Sequence, residues 1–426
     1  MPSFRMVKGD LQLITALLIG AGQRGAYCYG PYALQRPQEL KFVAVAEPVA
    51  ERRRRFAADH GIGPEMGFAT WREALDGPRL ADVVLICTND PMHYEPAARA
   101  MEMGYDVLLE KPISNDPTEC VRLDRKAAET GRLLTICHVL RYTSFFQELK
   151  RRIDSGDVGG LMCIQHIEEV GYWHQAHSFV RGNWRSSRET SPMILSKCCH
   201  DMDILNYLVG RDCREVSSFG SLRHFRPENR PQGAPDRCID GCPHSDGCPY
   251  DATRLYLGEQ TGWPTAAIAD NLSMESRVEA LRTGPYGRCV YACDNDVVDN
   301  QVVNLLYDGG VTVSMAMCAF TTRVRRVINI MGTHGQITGD MEAGTIRSEQ
   351  FATGIASTVT VPAGGGHGGG DFGLLRDFLR AVQGGERAAT LSSSSVSVRS
   401  HMMAFAAEQS RLTGRVVDID RFMESL

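Results

Sequence analysis

The chain has 426 residues, 43% hydrophobic and 23% charged, the balance of an ordinary globular protein long enough for two domains with separate cores. A formal net charge of −5 argues against a nucleic-acid binder, which carries a basic surplus, and no apolar run approaches the ~18 residues needed to cross a bilayer. The expected compartment is the cytoplasm, where the fourteen cysteines are reduced and clustered ones suggest metal before disulfide.

Strand-like runs at Leu13–Ile19, Phe42–Ala46, Val83–Cys87, Asp106–Leu109 and Leu133–Cys137 alternate with helical segments such as Pro48–His60 and Pro91–Met103. That alternation predicts a doubly wound parallel sheet over residues 1–140. The first run flows into LLIGAGQRG, with Gly20, Gly22 and Gly25 in the G-x-G-x-x-G spacing, then Gln23 and Arg24 in the turn. Such glycines let the backbone approach a pyrophosphate at a helix N-terminus. The second strand ends in Glu47, a carboxylate placed to accept hydrogen bonds from ribose hydroxyls and to repel a 2′-phosphate, so NAD is preferred to NADP. The basic run Arg52–Arg55 that follows reads as a solvated helix face. Thr88, Asn89 and His93 follow the third strand-like run, and Glu110 and Lys111 the fourth, at the carboxyl edge where dinucleotides bind.

Beyond residue 141 the pattern changes. A helix at Ser144–Ser155 stops at Gly156. Longer strand candidates follow at Met162–Gly171, Val216–Arg223, Val302–Leu306, Val311–Ala319, Val327–Met331 and Thr358–Val361. Largely consecutive strands joined by turns such as Asp308-Gly-Gly predict a mostly antiparallel sheet over residues 141–390. Residues 391–426 are expected to form a C-terminal helix, Ser393–Thr413 closed by Gly414, and a tail packing back on the body. His367 lies in GGGHGGGD, a loop read equally well as a linker or as part of a site.

An insert at residues 236–295 holds Cys238, Cys242 and Cys248, and then Cys289 and Cys293. Five cysteines in two turn-rich clusters predict a structural zinc site formed by Cys238, Cys242, Cys248 and either Cys289 or Cys293. Free thiols and an iron–sulfur cluster are the alternatives, the spacing matching none of the common ferredoxin patterns.

GAGQRG, AEP, TNDPMH, EKPIS and HVLRY, followed by NWR, CCHDMDILNYLVG and GHGGGD, resemble the Gfo/Idh/MocA family of glucose–fructose oxidoreductase and inositol dehydrogenase. The resemblance implies an N-terminal Rossmann domain and a C-terminal α/β domain with an open antiparallel sheet that often mediates oligomerisation, here as a dimer or tetramer. It also implies activity on sugars and cyclitols with NAD or NADP. Lys111 matches the family's EKP lysine, which binds substrate hydroxyl and cofactor ribose, and His200 matches its general acid/base. The better-known dehydrogenases have Asp four residues before that histidine; here the position is Ser196, which puts the Asp–His relay in doubt.

Oxidising a secondary alcohol needs a base for the hydroxyl proton as hydride leaves carbon, a task suited to His. On one helix Lys197, His200 and Asp201 would share a face, while adjacent Cys198 and Cys199 would diverge by about 100° and become packing groups. Arg141, Tyr142, His174, His177, Trp184, Arg185, Lys197 and His367 are the candidate substrate contacts, since aromatic faces stack on a sugar's C–H surface while Arg and His bind its hydroxyls. Three functions remain open: an NAD-dependent dehydrogenase of a sugar, glycoside or cyclitol; a glycoside hydrolase using transient C3 oxidation, elimination and re-reduction on NAD; and a non-catalytic NAD-binding regulator.

Overall fold

The computed structural model describes residues 12–362, 368–384 and 390–426. The first sheet consists of β1 (Ile14–Ile19), β2 (Leu40–Ala46), β3 (Gly67–Phe68), β4 (Val83–Ile86), β5 (Asp106–Leu109) and β6 (Leu134–Ile136). All its pairs are parallel, in the order β3-β2-β1-β4-β5-β6. This is the doubly wound dinucleotide-binding arrangement, whose strand order reverses between β1 and β4. β1, β4 and β5 are apolar almost throughout because helices cover both faces.

The second sheet has nine strands: β7 (Leu161–Glu169), β8 (Cys213–Ser221), β9 (Asn300–Tyr307), β10 (Thr312–Cys318), β11 (Arg325–Gly332), β12 (Gly335–Asp340), β13 (Thr345–Gln350), β14 (Ala356–Thr360) and β15 (Val417–Asp418). Their order is β14-β13-β12-β11-β7-β10-β9-β8-β15, antiparallel except for β7 beside β10. One face is covered by the helices Cys199–Val209 and Ser394–Thr413, which fill the larger core with Met202, Leu205 and Met403. The other face is open. Strand alternation leaves Phe219, Val302, Ala316, Ile167 and Val327 in register across five strands on that face, with Phe219 67% exposed.

The helix Ser394–Thr413, capped by Gly414 in the left-handed conformation, ties the two sheets together. Ser394 Oγ donates to Asp124 on the Rossmann side at 2.7 Å, and Ser400 Oγ donates to Asp203 on the other at 3.3 Å. Among the described residues no helix is long and apolar enough to cross a membrane. His367 lies outside the described residues.

Candidate active site

The three motif glycines meet three different surroundings. Gly20, at φ +93°, would drive a Cβ to 2.6 Å from the Cys87 carbonyl. A Cβ on Gly25 would lie 2.2 Å from the Gly20 carbonyl, so the helix beginning at Gln23 presses on β1. A Cβ on Gly22 would meet nothing within 4 Å. Space kept free by a glycine that packing does not require fits the close approach of a dinucleotide pyrophosphate. Glu47, buried at the end of β2, accepts from Ala21 N at 2.8 Å and Val49 N at 2.9 Å, which fixes its carboxylate beside the glycine turn. Arg52, just beyond, pairs at 2.8 Å with Asp270 of the insert.

The other residues expected at the cofactor separate into rim and strut. Asn89 is exposed and Thr88 half-buried at the end of β4, with Thr88 Oγ1 donating to Met92 O. His93 is fully buried, its ring nitrogens 2.6 Å from Pro112 O and 3.0 Å from Thr88 O, so it braces the turns after β4 and β5. Arg24 pairs with Glu110 at 2.5 Å and with Asp371 at 2.7 Å, and donates to Tyr29 Oη. Burial alone would raise the Glu110 carboxyl, but Arg24 and then Lys111 outweigh it and hold the group below its ordinary value. Arg24 and Glu110 are therefore a strut between the glycine turn, the lysine turn and the helix Gly370–Gly384.

Lys111 reaches the second domain. Its Nζ donates to the main-chain carbonyl of Ser196 at 2.8 Å, the position where the resemblance calls for Asp. The continuous helix expected here is broken: one turn runs Met193–Ser196, the chain kinks at Lys197 and Cys198, and a new helix spans Cys199–Val209. His200, 7% exposed, stands in its first turn, 5.9 Å between centroids from the buried His138. Burial, then Arg141 and Lys111, push His138 well below its ordinary pKa, and both its ring nitrogens lack a hydrogen-bond partner. His401 packs 5.3 Å from His138; it accepts from Ile113 N and donates from Nδ1 to Ser397 O. Cys198 and Cys199 are fully buried, and burial pushes the Cys199 thiol up to about 12.

Several expected substrate contacts are instead engaged inside the protein. Lys197 Nζ is 2.9 Å from Glu168, which also faces Arg326 at 2.9 Å. Arg326 in turn pairs with Asp201, whose other partner is His166. Lys197 and Asp201 thus do share a side, but it is turned to β7 and β11. Arg141 forms a two-pronged pair with Asp203 at 2.6 and 2.8 Å, and Tyr142 Oη donates to Asp377. Both are buried struts, as their place at the start of the second domain demands. Trp184 Nε1 donates to Asp90 at 3.2 Å, and Arg185 pairs with Asp294 and Glu189. His177 Nδ1 meets Tyr256 Oη at 2.9 Å, and burial pushes its ring down to about 3. His174 keeps a buried Nδ1 with no hydrogen-bond partner.

The insert departs from expectation. Cys238, Cys242, Cys248 and Cys289 line a cavity of about 440 Å³ together with Arg181 and His244, while the Cys293 thiol turns back to the Cys289 carbonyl. All five are free thiols. Among the described residues no three His, Cys, Asp or Glu side chains gather closely enough to hold an ion, so the closed four-ligand zinc site is not formed. Sequence reading missed Asp90 and Asp371. Asp90 and Asp371 stand in quoted motifs but act through partners about 100 and 350 residues away in sequence, which no local pattern reveals.

The comparisons with known proteins agree with this architecture. A family model described as an oxidoreductase family, NAD-binding Rossmann fold, matches residues 14–138, and its companion, the C-terminal alpha/beta domain, matches residues 150–419. The scyllo-inositol 2-dehydrogenase (NAD(+)) of Bacillus subtilis (strain 168) is 24% identical over 287 residues, 66% of this chain and 70% of that protein. The 2,7-anhydro-N-acetylneuraminate hydratase of Escherichia coli (strain K12) is 26% identical over 156 residues, 36% of this chain and 41% of its own. The structure of levoglucosan dehydrogenase in complex with NADH and levoglucosan superposes with a TM-score of 0.71 at 19% identity, covering 96% of this chain and 100% of that one. At that identity it speaks for the fold alone.

Proposed function

The chain belongs to the Gfo/Idh/MocA oxidoreductase family, whose two domain models together match most of its length, and from that premise we propose that it is an NAD-dependent dehydrogenase of a secondary hydroxyl on a sugar, glycoside or cyclitol. The observation that carries this reading is the 2.8 Å contact of Lys111 Nζ with the Ser196 carbonyl. It brings the lysine at the dinucleotide edge to the segment that presents His200 four residues later.

In this reading Gly20, Gly22, Gln23 and Gly25 cradle the pyrophosphate, Glu47 receives the adenosine ribose, and Thr88 and Asn89 form the rim. NAD, when bound, supplies the hydride acceptor. Lys111 holds the substrate hydroxyl and stabilises the charge that grows on its oxygen. His200 takes the proton. The fixed Glu47 carboxylate supports NAD over NADP, as does the Arg52–Asp270 pair, which leaves the Arg52 charge compensated. The apolar row on the open sheet face supports assembly of copies through that face, and the expected compartment remains the cytoplasm.

A second reading, the redox-assisted glycoside hydrolase, is favoured by one feature: Ser196 stands where the dehydrogenases have Asp. Purified protein incubated with NAD and a panel of glycosides, followed for NADH absorbance and free sugar together, separates the two. Stoichiometric NADH without cleavage supports the dehydrogenase. Cleavage with no net NADH replaces it with the hydrolase.

A further inference from the structure

Trp263 of the insert is 47% exposed, yet its ring is held from several sides. Between centroids it lies 5.3 Å from Trp173, 4.9 Å from His174 and 5.6 Å from His177, at interplanar angles of 63°, 89° and 85°. Edge-to-face packing of this kind fixes an aromatic ring without covering it. A rigid, half-exposed indole has little conformational entropy left to lose, which suits it to bind a ligand.

Two connections link this ring to the elements that carry the candidate site. His174, packed against Trp263, is pushed well below its ordinary pKa by burial first and then by the Lys197 ammonium, and Lys197 directly follows Ser196, whose carbonyl accepts from Lys111. In the other direction Asp270, a short way along the insert from Trp263, pairs with Arg52 beside the adenosine end of the dinucleotide groove. The insert therefore bridges the cofactor edge and the Lys111–His200 segment. The His174 ring lies beside the Val170 main chain, but its buried Nδ1 makes no hydrogen bond and is a polar group that a ligand would satisfy.

We propose that Trp263 and His174 form a carbohydrate subsite, in which the indole face stacks on the apolar C–H face of a substrate ring and His174 Nδ1 hydrogen-bonds one of its hydroxyls. The subsite rests on the dehydrogenase reading, because the ring it grips is the one oxidised beside Lys111. It selects cyclic substrates, pyranoses and cyclitols, over open-chain polyols, which present no continuous apolar face.

The test uses the full chain with NAD and a fixed panel: myo-inositol, scyllo-inositol, glucose, levoglucosan and open-chain sorbitol. NADH formation is followed in the wild type, Trp263→Ala, Trp263→Phe and His174→Asn. For the best ring substrate, Trp263→Ala raises KM about tenfold, equivalent to about 1.4 kcal/mol, with kcat within about twofold. Trp263→Phe recovers most of the loss, His174→Asn raises KM, and NAD affinity measured by fluorescence titration stays unchanged in all three. A wild-type KM in Trp263→Ala, a loss confined to kcat, or a preference for sorbitol over every ring compound overturns the subsite while leaving the dehydrogenase reading in place. Failure to oxidise any member of the panel overturns both.

Discussion

Replacing Arg141 separates a structural strut from a substrate contact. Its guanidinium meets Asp203 at 2.6 and 2.8 Å and donates to Leu391 O at 2.8 Å, with Asp203 fully buried. Among the described residues, Arg141→Met leaves that carboxylate with Ser400 Oγ at 3.3 Å and His138 Nε2 at 3.8 Å. Removing one partner of a buried pair costs about 3–5 kcal/mol, which at this size lowers Tm by about 3–6 °C. Arg141→Met combined with Asp203→Asn recovers part of the loss, and the double-mutant cycle gives a coupling of about 2 kcal/mol. Thermal and urea unfolding measure the stability, and KM is read well below Tm, where it stays within about twofold of wild type. An Arg141→Met protein with native Tm and a KM raised tenfold or more would refute the strut and restore Arg141 to the substrate.

Other outcomes follow from the same geometry. Gly22→Ala keeps the wild-type Tm, since its Cβ meets nothing within 4 Å, but weakens NAD binding at least about tenfold by filling the space beside the pyrophosphate; calorimetric titration reads the affinity. His401 is pushed down to about 3, by burial first, against about 6.5 in the unfolded chain. The unfolded state therefore takes up a proton that the folded state refuses. The stability that depends on neutral His401 is complete above pH ~6.5 and is lost, at up to about 1.4 kcal/mol per pH unit, as pH falls towards 3. His401→Gln flattens that acid slope in urea titrations at successive pH values, and an unchanged slope contradicts the assignment. Val302→Asp, within the apolar row between Phe219 and Ala316, shifts the protein to a smaller species by light scattering if copies assemble through that face.

The two-sheet plan was legible because its strands carry their own signals. Leu17–Ile19 and Val83–Ile86 are unbroken apolar runs buried on both faces, and Val302–Leu306 is rich in Val and Leu, a strand-like composition whose alternate burial the structure then supplies. Gly335–Asp340 and Thr345–Gln350, reading GQITGD and TIRSEQ, were not legible. Most of their side chains are small or polar, and the pairing partner, not the residue pattern, holds them in the sheet. At the site, the glycine turn and Lys111 follow from strand ends. The fate of Arg141, Tyr142 and Lys197 depends on Asp203, Asp377 and Glu168, partners that only tertiary structure brings near. The kink at Lys197 and Cys198 was equally hidden, because MILSKCCHDMD contains neither Gly nor Pro to announce a break. The cysteine spacing suggested a compact ion site, whereas the fold spreads four thiols around a cavity.

Hydride transfer assisted by Lys111 and His200 is read from NADH formation on the sugar and cyclitol panel by three proteins: wild type, Lys111→Met and His200→Ala, each first shown to retain wild-type Tm and NAD affinity. The wild type forms NADH with at least one ring substrate, and kcat/KM falls at least about 100-fold in each variant, the scale of a missing acid/base or charge-stabilising group. Wild-type rates in either variant, or no NADH from any compound, would contradict hydride transfer assisted by these two residues.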